Sequence, residues 1–205
     1  MQKDSKNKKG FTIIELMITI FILSFAVVGI FAAFSVMASL VYDATDRLIA
    51  AYLGQEGMEI VRNIRDSNWL NIDAGANASW LDGLSDDAIN YSVDCHSIGC
   101  EADYLATNLA TWSDRYLFLK NGIYSYDQTG SPTKFKRKIK IEPLTDVDGS
   151  SNHIIKVIVE TSWDQKGTIF SAGNLASDCN PANCVTIVAT LYDWYNYSLN
   201  PIWTP

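Results

Sequence analysis

From Phe11 to Tyr42 the chain is apolar on every side of any helix drawn through it, with Glu15 its single charge. As an α-helix rising about 1.5 Å per residue the run is about 48 Å long, and about 20 apolar residues already cross a bilayer core. The pattern predicts a helix that spans a membrane and continues beyond it. From Asp43 the apolar positions become one-sided. Ile49, Leu53, Gly57, Ile60 and Ile64 recur at helical spacing, and Ala50, Gly54 and Val61 widen the stripe, as in an amphipathic helix. The opposite face carries Asp43, Asp46, Gln55, Glu59, Arg62 and Asp66, with Arg62 and Asp66 at i,i+4 ion-pair spacing. One helix reaching to about Asp66 is therefore predicted, its first half suited to lipid or a filament core and its second half to a globular head. Gly54 and Gly57 each weaken a helix by about 1 kcal/mol relative to Ala. Lacking side chains, they would let a sheet approach closely.

After the helix the period changes from 3.6 to 2. Ser67 to Ala88, rich in Asn, Asp, Gly and Ser, reads as a loop fastened to the core by Trp69, Leu70, Trp80 and Leu84. Ile89–Cys95 reads as a strand, followed by a cysteine loop and a stretch over 101–115 read as a short helix. Tyr116–Leu119 and Ile123–Tyr126 flank Asn121-Gly122, a hairpin signal. Three longer strands follow: Phe135–Ile141 (FKRKIKI), Ile154–Trp163 (IIKVIVETSW) and Val185–Tyr195 (VTIVATLYDWY). Their alternation marks antiparallel strands with one buried face. The fold class is α+β, one long N-terminal helix packing its apolar stripe on an antiparallel sheet. The chain divides into a short basic segment (1–10), a hydrophobic helix (11–42) and a globular head (43–205), without internal repeats.

Charge adds direction. The chain of 205 residues has a net charge of −7. Residues 1–10 hold Lys3, Lys6, Lys8 and Lys9 against Asp4, so the remainder stands at −10. Positive charge beside a first apolar helix favours keeping that end cytoplasmic, with the head outside. A remainder this acidic has no general attraction to nucleic acid or anionic lipid. The four cysteines fall in two close pairs, Cys95/Cys100 and Cys179/Cys184. In an oxidising compartment they read as two small disulfide loops, although four cysteines allow three pairings. The rival is a zinc site using Cys95, His96, Cys100 and the second pair; its spacing is wider than usual for zinc.

Glu15 asks for a partner, because an ionised carboxylate at membrane depth costs several kcal/mol unless paired. Cleavage after Gly10 would create a positive α-amine on Phe11, and in a helix positions 11 and 15 share a face. The amine could belong to the same chain or to a neighbour in a bundle. The string KKGFTIIELMITIFIL resembles the leader junction of type IV prepilins and the related type II secretion pseudopilins. The resemblance implies that Gly10 ends a leader cut by prepilin peptidase, that Phe11 becomes the N-methylated mature terminus, and that Glu15 aids subunit docking. It also implies a pilin-like fold, identical or related pilin subunits and an inner-membrane assembly platform as partners, a single-pass membrane precursor, and an extracellular or periplasmic filament after assembly. It covers the apolar segment and at most the amphipathic helix after it. Where many type IV pilins place a helix-loosening proline this chain has Ala32, so a melted segment does not carry over. Two plainer readings compete: a simple membrane anchor, and a secretory signal cut after Ala38, where Val36-Met37-Ala38 loosely suits the small-residue rule.

The remaining chemistry is sparse. His96 and His153 sit in no HExxH or nucleophile motif, and phosphate-loop and dinucleotide fingerprints are lacking. Asp146–Asn152 is oxygen-rich and could hold calcium, but it departs from EF-hand spacing and suits a hairpin turn. No catalytic residue, cofactor or metal is expected. Lys134, Lys136, Lys138 and Lys140 would share one strand face, with Arg137 in the same run. Such a stripe could hold a DNA backbone, or be balanced by acidic neighbours or the next subunit. Tyr192, Trp194, Tyr195, Tyr197 and Trp203 could form a surface for glycans or other subunits, or pack the last strand. The expected function is structural, as a pilin or pseudopilin of a type IV pilus-like or type II secretion filament. The alternative is a minor or tip subunit binding DNA, surfaces or secreted cargo; a membrane-anchored enzyme comes third.

Overall fold

The computed structural model describes residues 10–85, 92–145, 153–164 and 179–195. Contacts divide the chain into two compact units, Met1–Thr45 and Asp46–Pro205. Helix α1 (Ile13–Asp73) is the first unit's regular structure and the first element of the second. In the first unit every residue from Phe11 to Tyr42 is exposed, and the helix is long and apolar enough to cross a membrane. Several of its hydroxyls find partners within it. Thr19 Oγ1 donates to Leu16 O at 2.8 Å and Ser39 Oγ to Val36 O at 2.8 Å, while Ser24 Oγ bonds Ile20 O and Phe21 O. Such back-bonding satisfies polar groups that lipid cannot.

The second unit is α+β. A five-stranded sheet runs β2 (Ala110–Thr111), β1 (Cys100–Glu101), β6 (Phe135–Leu144), β7 (Ile154–Trp163), β8 (Cys184–Tyr192), all pairs antiparallel. A smaller sheet runs β4 (Ile123–Ser125), β3 (Phe118–Lys120), β5 (Ser131–Pro132). The three long strands lie where alternation places them. In register, Ile139 pairs with Val159 and Val159 with Ile187, and Ile141 pairs with Val157 and Val157 with Ala189. This face packs on Leu53, Met58, Ile60, Val61 and Ile64 of α1, each fully buried aliphatic side chain contributing about 1.5–3 kcal/mol. The two glycines sit at the closest approach. A methyl at Gly54 would come within 2.9 Å of Ile187 Cδ1, and one at Gly57 within 2.9 Å of both Arg137 Cδ and Val159 Cγ1. Asn121 and Gly122, at φ 52 and 82, turn the β3–β4 hairpin in the left-handed conformation that its loop requires.

Several expectations fail for physical reasons. Ser67–Asp73 is helix, not loop. Asn68 is buried and donates from Nδ2 to Trp80 O at 3.1 Å and Asp82 O at 2.7 Å, which pays the cost of a polar residue on the inner face. The helix stops at Gly75, φ 85, where Gly75 N–H reaches Ile72 O at 2.9 Å and Ala76 N–H reaches Asn71 O at 3.0 Å, a Schellman end. Leu70 fastens nothing, being 71% exposed. The 101–115 stretch is not a helix; it holds β2 and the end of β1, strands too short to carry a period of their own. Of the strand expected over Ile89–Cys95, residues 92–95 are not strand and 89–91 lie outside the described residues. Arg62 pairs with Glu59 at 2.5 Å, and Asp66 with Arg65 at 2.8 Å, so the expected Arg62–Asp66 pair is replaced by nearer partners.

Candidate functional site

At the N-terminal end of α1 the local chemistry is that of a helix cap. Thr12 Oγ1 accepts the Glu15 N–H at 3.3 Å, and Thr12 O accepts the Leu16 N–H at 3.2 Å. Thr-x-x-Glu is the capping-box spacing, a signal present in the string and missed by a reading that looked only for a partner to the acid. The cap uses the backbone of Glu15, so its carboxylate remains exposed. It lies in the first turn, where the helix dipole favours an anion by about 0.3–1 kcal/mol. From Gly10 to Tyr42 there is no basic residue to pair with it. Gly10 and Phe11 precede the helix and are exposed. Phe11 therefore does not share a helical face with Glu15, because α1 begins two residues after it.

The basic strand looks different in three dimensions. Lys136, Lys138 and Lys140 lie on the sheet face away from α1, whereas Lys134, just before β6, reaches back to α1, and each of the four is engaged. Lys134 Nζ pairs with Asp46, Lys136 with Asp114 at 2.7 Å, and Lys140 with Glu160 at 3.4 Å. Lys138 Nζ sits over the Trp112 ring at 4.3 Å; burial, and then the charge of Lys140, pull its pKa below the usual lysine range. Arg137 points the other way and is fully buried. Its guanidinium donates to Leu53 O at 3.2 Å and Ala102 O at 2.8 Å and lies 3.2 Å from Glu56 Oε1. Sequence reasoning places it in the basic run but not on the face shared by the four lysines; its even spacing from Phe135, Ile139 and Ile141 is the signal that it faces inward.

The cysteines form Cys95–Cys100 and Cys179–Cys184. The second loop is held by Arg47, whose guanidinium donates to Pro181 O at 3.1 Å and Ala182 O at 3.0 Å. With both pairs oxidised, no cysteine is free to ligate zinc, and no group of His, Cys, Asp and Glu suited to a metal occurs among the described residues. His96 is exposed and its N–H bonds Asp94 Oδ1 at 3.1 Å; His153 is half-buried. A second buried charge also went unread: Glu101 in β1 accepts from Ser113 Oγ at 3.0 Å and Arg115 Nε at 3.1 Å. Tyr192 and Trp194 are exposed, and Tyr195 donates to Asp73 Oδ1 at 3.3 Å. Asp146–Asn152, read as a hairpin turn or calcium loop, and Tyr197 and Trp203 lie outside the described residues.

In comparisons with known proteins, a family model described as the prokaryotic N-terminal methylation motif matches residues 5–31. The chain thus carries the prepilin signature of type IV pilins and pseudopilins in its N-terminal part. Neither the curated proteins nor the solved structures give a match.

Proposed function

We propose that this chain, whose residues 5–31 carry the prepilin signature, is the precursor of a structural subunit in a filament of the type IV pilus or type II secretion class. The observation that carries the reading is the coincidence, in one short stretch, of that motif with an exposed, all-round apolar helix. The precursor sits in the membrane with its lysine-rich end in the cytoplasm and residues 43–205 outside, where a compartment that permits two disulfides is expected. Prepilin peptidase hydrolyses the Gly10–Phe11 bond, and the freed amine of Phe11 is methylated and remains a cation at neutral pH. Assembly then hides the apolar helices against one another. Burying the Glu15 carboxylate there is tolerable only beside a positive group, which the processed terminus of a neighbouring subunit supplies.

Intact-mass and N-terminal peptide mass spectrometry on chain taken from its native membrane tests the processing. The expected species starts at N-methylated Phe11 and is lighter by four hydrogens for two disulfides. A chain starting at Met1 would return the plain-anchor reading, and one starting at Ser39 the secretory-signal reading. For assembly, Glu15→Leu is expected to leave cleavage intact and reduce sheared filament yield at least tenfold. Wild-type yield would remove the docking role.

A further inference from the structure

We propose that the groove between the last turns of α1 and the residues following β8 binds a neutral saccharide of one or two rings. The groove measures about 460 Å³, within the range of about 300–1,000 Å³ typical of small-ligand sites. Its apolar surface is Trp194, 57% exposed although its ring meets Trp69 edge-on at 4.6 Å, with Leu70 beside it. The floor is fixed. Trp69 stacks on Trp80 at 6.4 Å, donates its Nε1–H to Asp193 Oδ1 at 3.2 Å, and is covered by the Arg65 guanidinium at 4.6 Å. An exposed indole seated edge-on against a fixed neighbour loses less conformational freedom when a ligand stacks on it than one standing alone.

The rim supplies hydrogen-bonding groups of both kinds. Arg65 Nε donates to Asp66 Oδ1 at 2.9 Å, and Tyr195 OH donates to Asp73 Oδ1 at 3.3 Å. Each pair engages its carboxylate through Oδ1, both acids are exposed, and a carboxylate has further lone pairs to accept with while the guanidinium keeps further N–H donors. An apolar platform ringed by fixed acceptors and donors matches a pyranose, which has a C–H face and an equatorial girdle of hydroxyls. Other occupants fit less well. Two carboxylates against one guanidinium repel a phosphate backbone or an acidic sugar, and the face of Trp69 that a cation would seek is already taken by Arg65. The inference concerns the head alone, and its failure would leave the filament reading where it stands.

The test is saturation-transfer NMR on the full chain in a sugar-free zwitterionic detergent, with cellobiose and chitobiose as neutral probes and glucuronate as the anionic one. Transfer to the ring C–H protons of a neutral probe is expected, with affinity lowered about tenfold or more by Trp194→Ala. Asp73→Asn should weaken binding several-fold, and Trp194→Phe should retain most of it, both at unchanged melting temperature. No transfer at tens of millimolar, transfer undiminished in Trp194→Ala, or a preference for glucuronate would each overturn the proposal. So would binding seen only in a chain ending at Tyr195, since the groove would then be covered by the protein's own last residues.

Discussion

Gly57→Ala isolates the contact between α1 and the sheet. The added methyl would stand 2.9 Å from Arg137 Cδ and 2.9 Å from Val159 Cγ1, against an ordinary carbon–carbon separation of about 3.5–4.0 Å. Neither neighbour can retreat easily. Val159 is β-branched, hence stiff about χ1, and is fully buried in the middle of β7 between Ile139 and Ile187. Arg137 is pinned at its guanidinium by Leu53 O and Ala102 O. Overpacking of this kind costs about 1–3 kcal/mol, and two opposed contacts place it at the upper end. Exchange of a helical Gly for Ala returns about 1 kcal/mol, leaving a net loss of about 2 kcal/mol. At about 2–4 °C per kcal/mol for a domain of this size the melting temperature falls by about 4–8 °C. Gly54→Ala is the control. Its methyl would meet chiefly the terminal Cδ1 of Ile187, at 2.9 Å, a flexible chain end on the edge strand, so clash and propensity gain should cancel to within about 0.5 kcal/mol. The assay is near-ultraviolet circular dichroism melting of both variants in one detergent. If Gly57→Ala melts at or above Gly54→Ala, the close approach at Gly57 is not what limits that position.

Arg137→Ala leaves Glu56 without its partner and removes donors to two carbonyls, and should destabilise by about 3–5 kcal/mol, toward the lower figure because Glu56 reaches solvent. Arg137→Met keeps the stem packed against Gly57 and should lose clearly less; equal losses in urea titrations followed by tryptophan fluorescence would refute the packing contribution of the stem and assign the whole loss to the guanidinium. The phenol of Tyr116 is raised to about 12, first by its hydrogen bond to Asp164 and then by burial. Because the folded value lies above the ordinary one, the stabilisation is complete below about pH 10 and fades as pH climbs toward 12. In Asp164→Asn the spectrophotometric titration of that tyrosine should move back toward 10, while Tyr126, raised to about 12 chiefly by burial, stays; curves that superpose on wild type would contradict the assignment. For the lysine stripe, fluorescence anisotropy with single-stranded DNA at physiological salt should show no binding by wild type. The double variant Asp114→Asn with Glu160→Gln, which releases Lys136 and Lys140, should bind more tightly as salt is lowered. Salt-sensitive binding by wild type that disappears in Lys136→Ala would reverse this reading.

What could be read from the string was what repeats. Period-2 alternation located β6, β7 and β8, and the helical stripe located the inner face of α1, because burial of one face forces the pattern. Asn121-Gly122 was legible because few residues tolerate two successive left-handed positions. The failures share a cause, which is that the deciding partner is distant in sequence. Asn68 looks like a loop residue until the carbonyls of Trp80 and Asp82 are supplied. β1 and β2 exist through pairing, β1 with Ile139 and β2 with β1, not through any propensity of their own. Arg137 and the four lysines read as one cationic run because a strand's two faces are interleaved in sequence. The acids that engage three of the lysines come from α1, from the loop before β3 and from β7.

The cap at Thr12 bears on which amine could meet Glu15 in the proposed filament. Had the helix begun at Phe11, one turn would have set the terminal amine and the carboxylate on the same face of one chain, and a subunit could have neutralised its own acid. Instead Thr12 ends the helix by accepting the Glu15 N–H, and Phe11 stands outside it. Self-pairing would then require breaking the cap, at about 0.5–2 kcal/mol, and adding a turn that gains little by itself. A neighbour's amine requires neither, since the carboxylate is already exposed and the cap involves only its backbone. In the proposed filament, capping and docking would thus use different atoms of one residue, and the helix start that favours the first would leave the second to another copy of the chain.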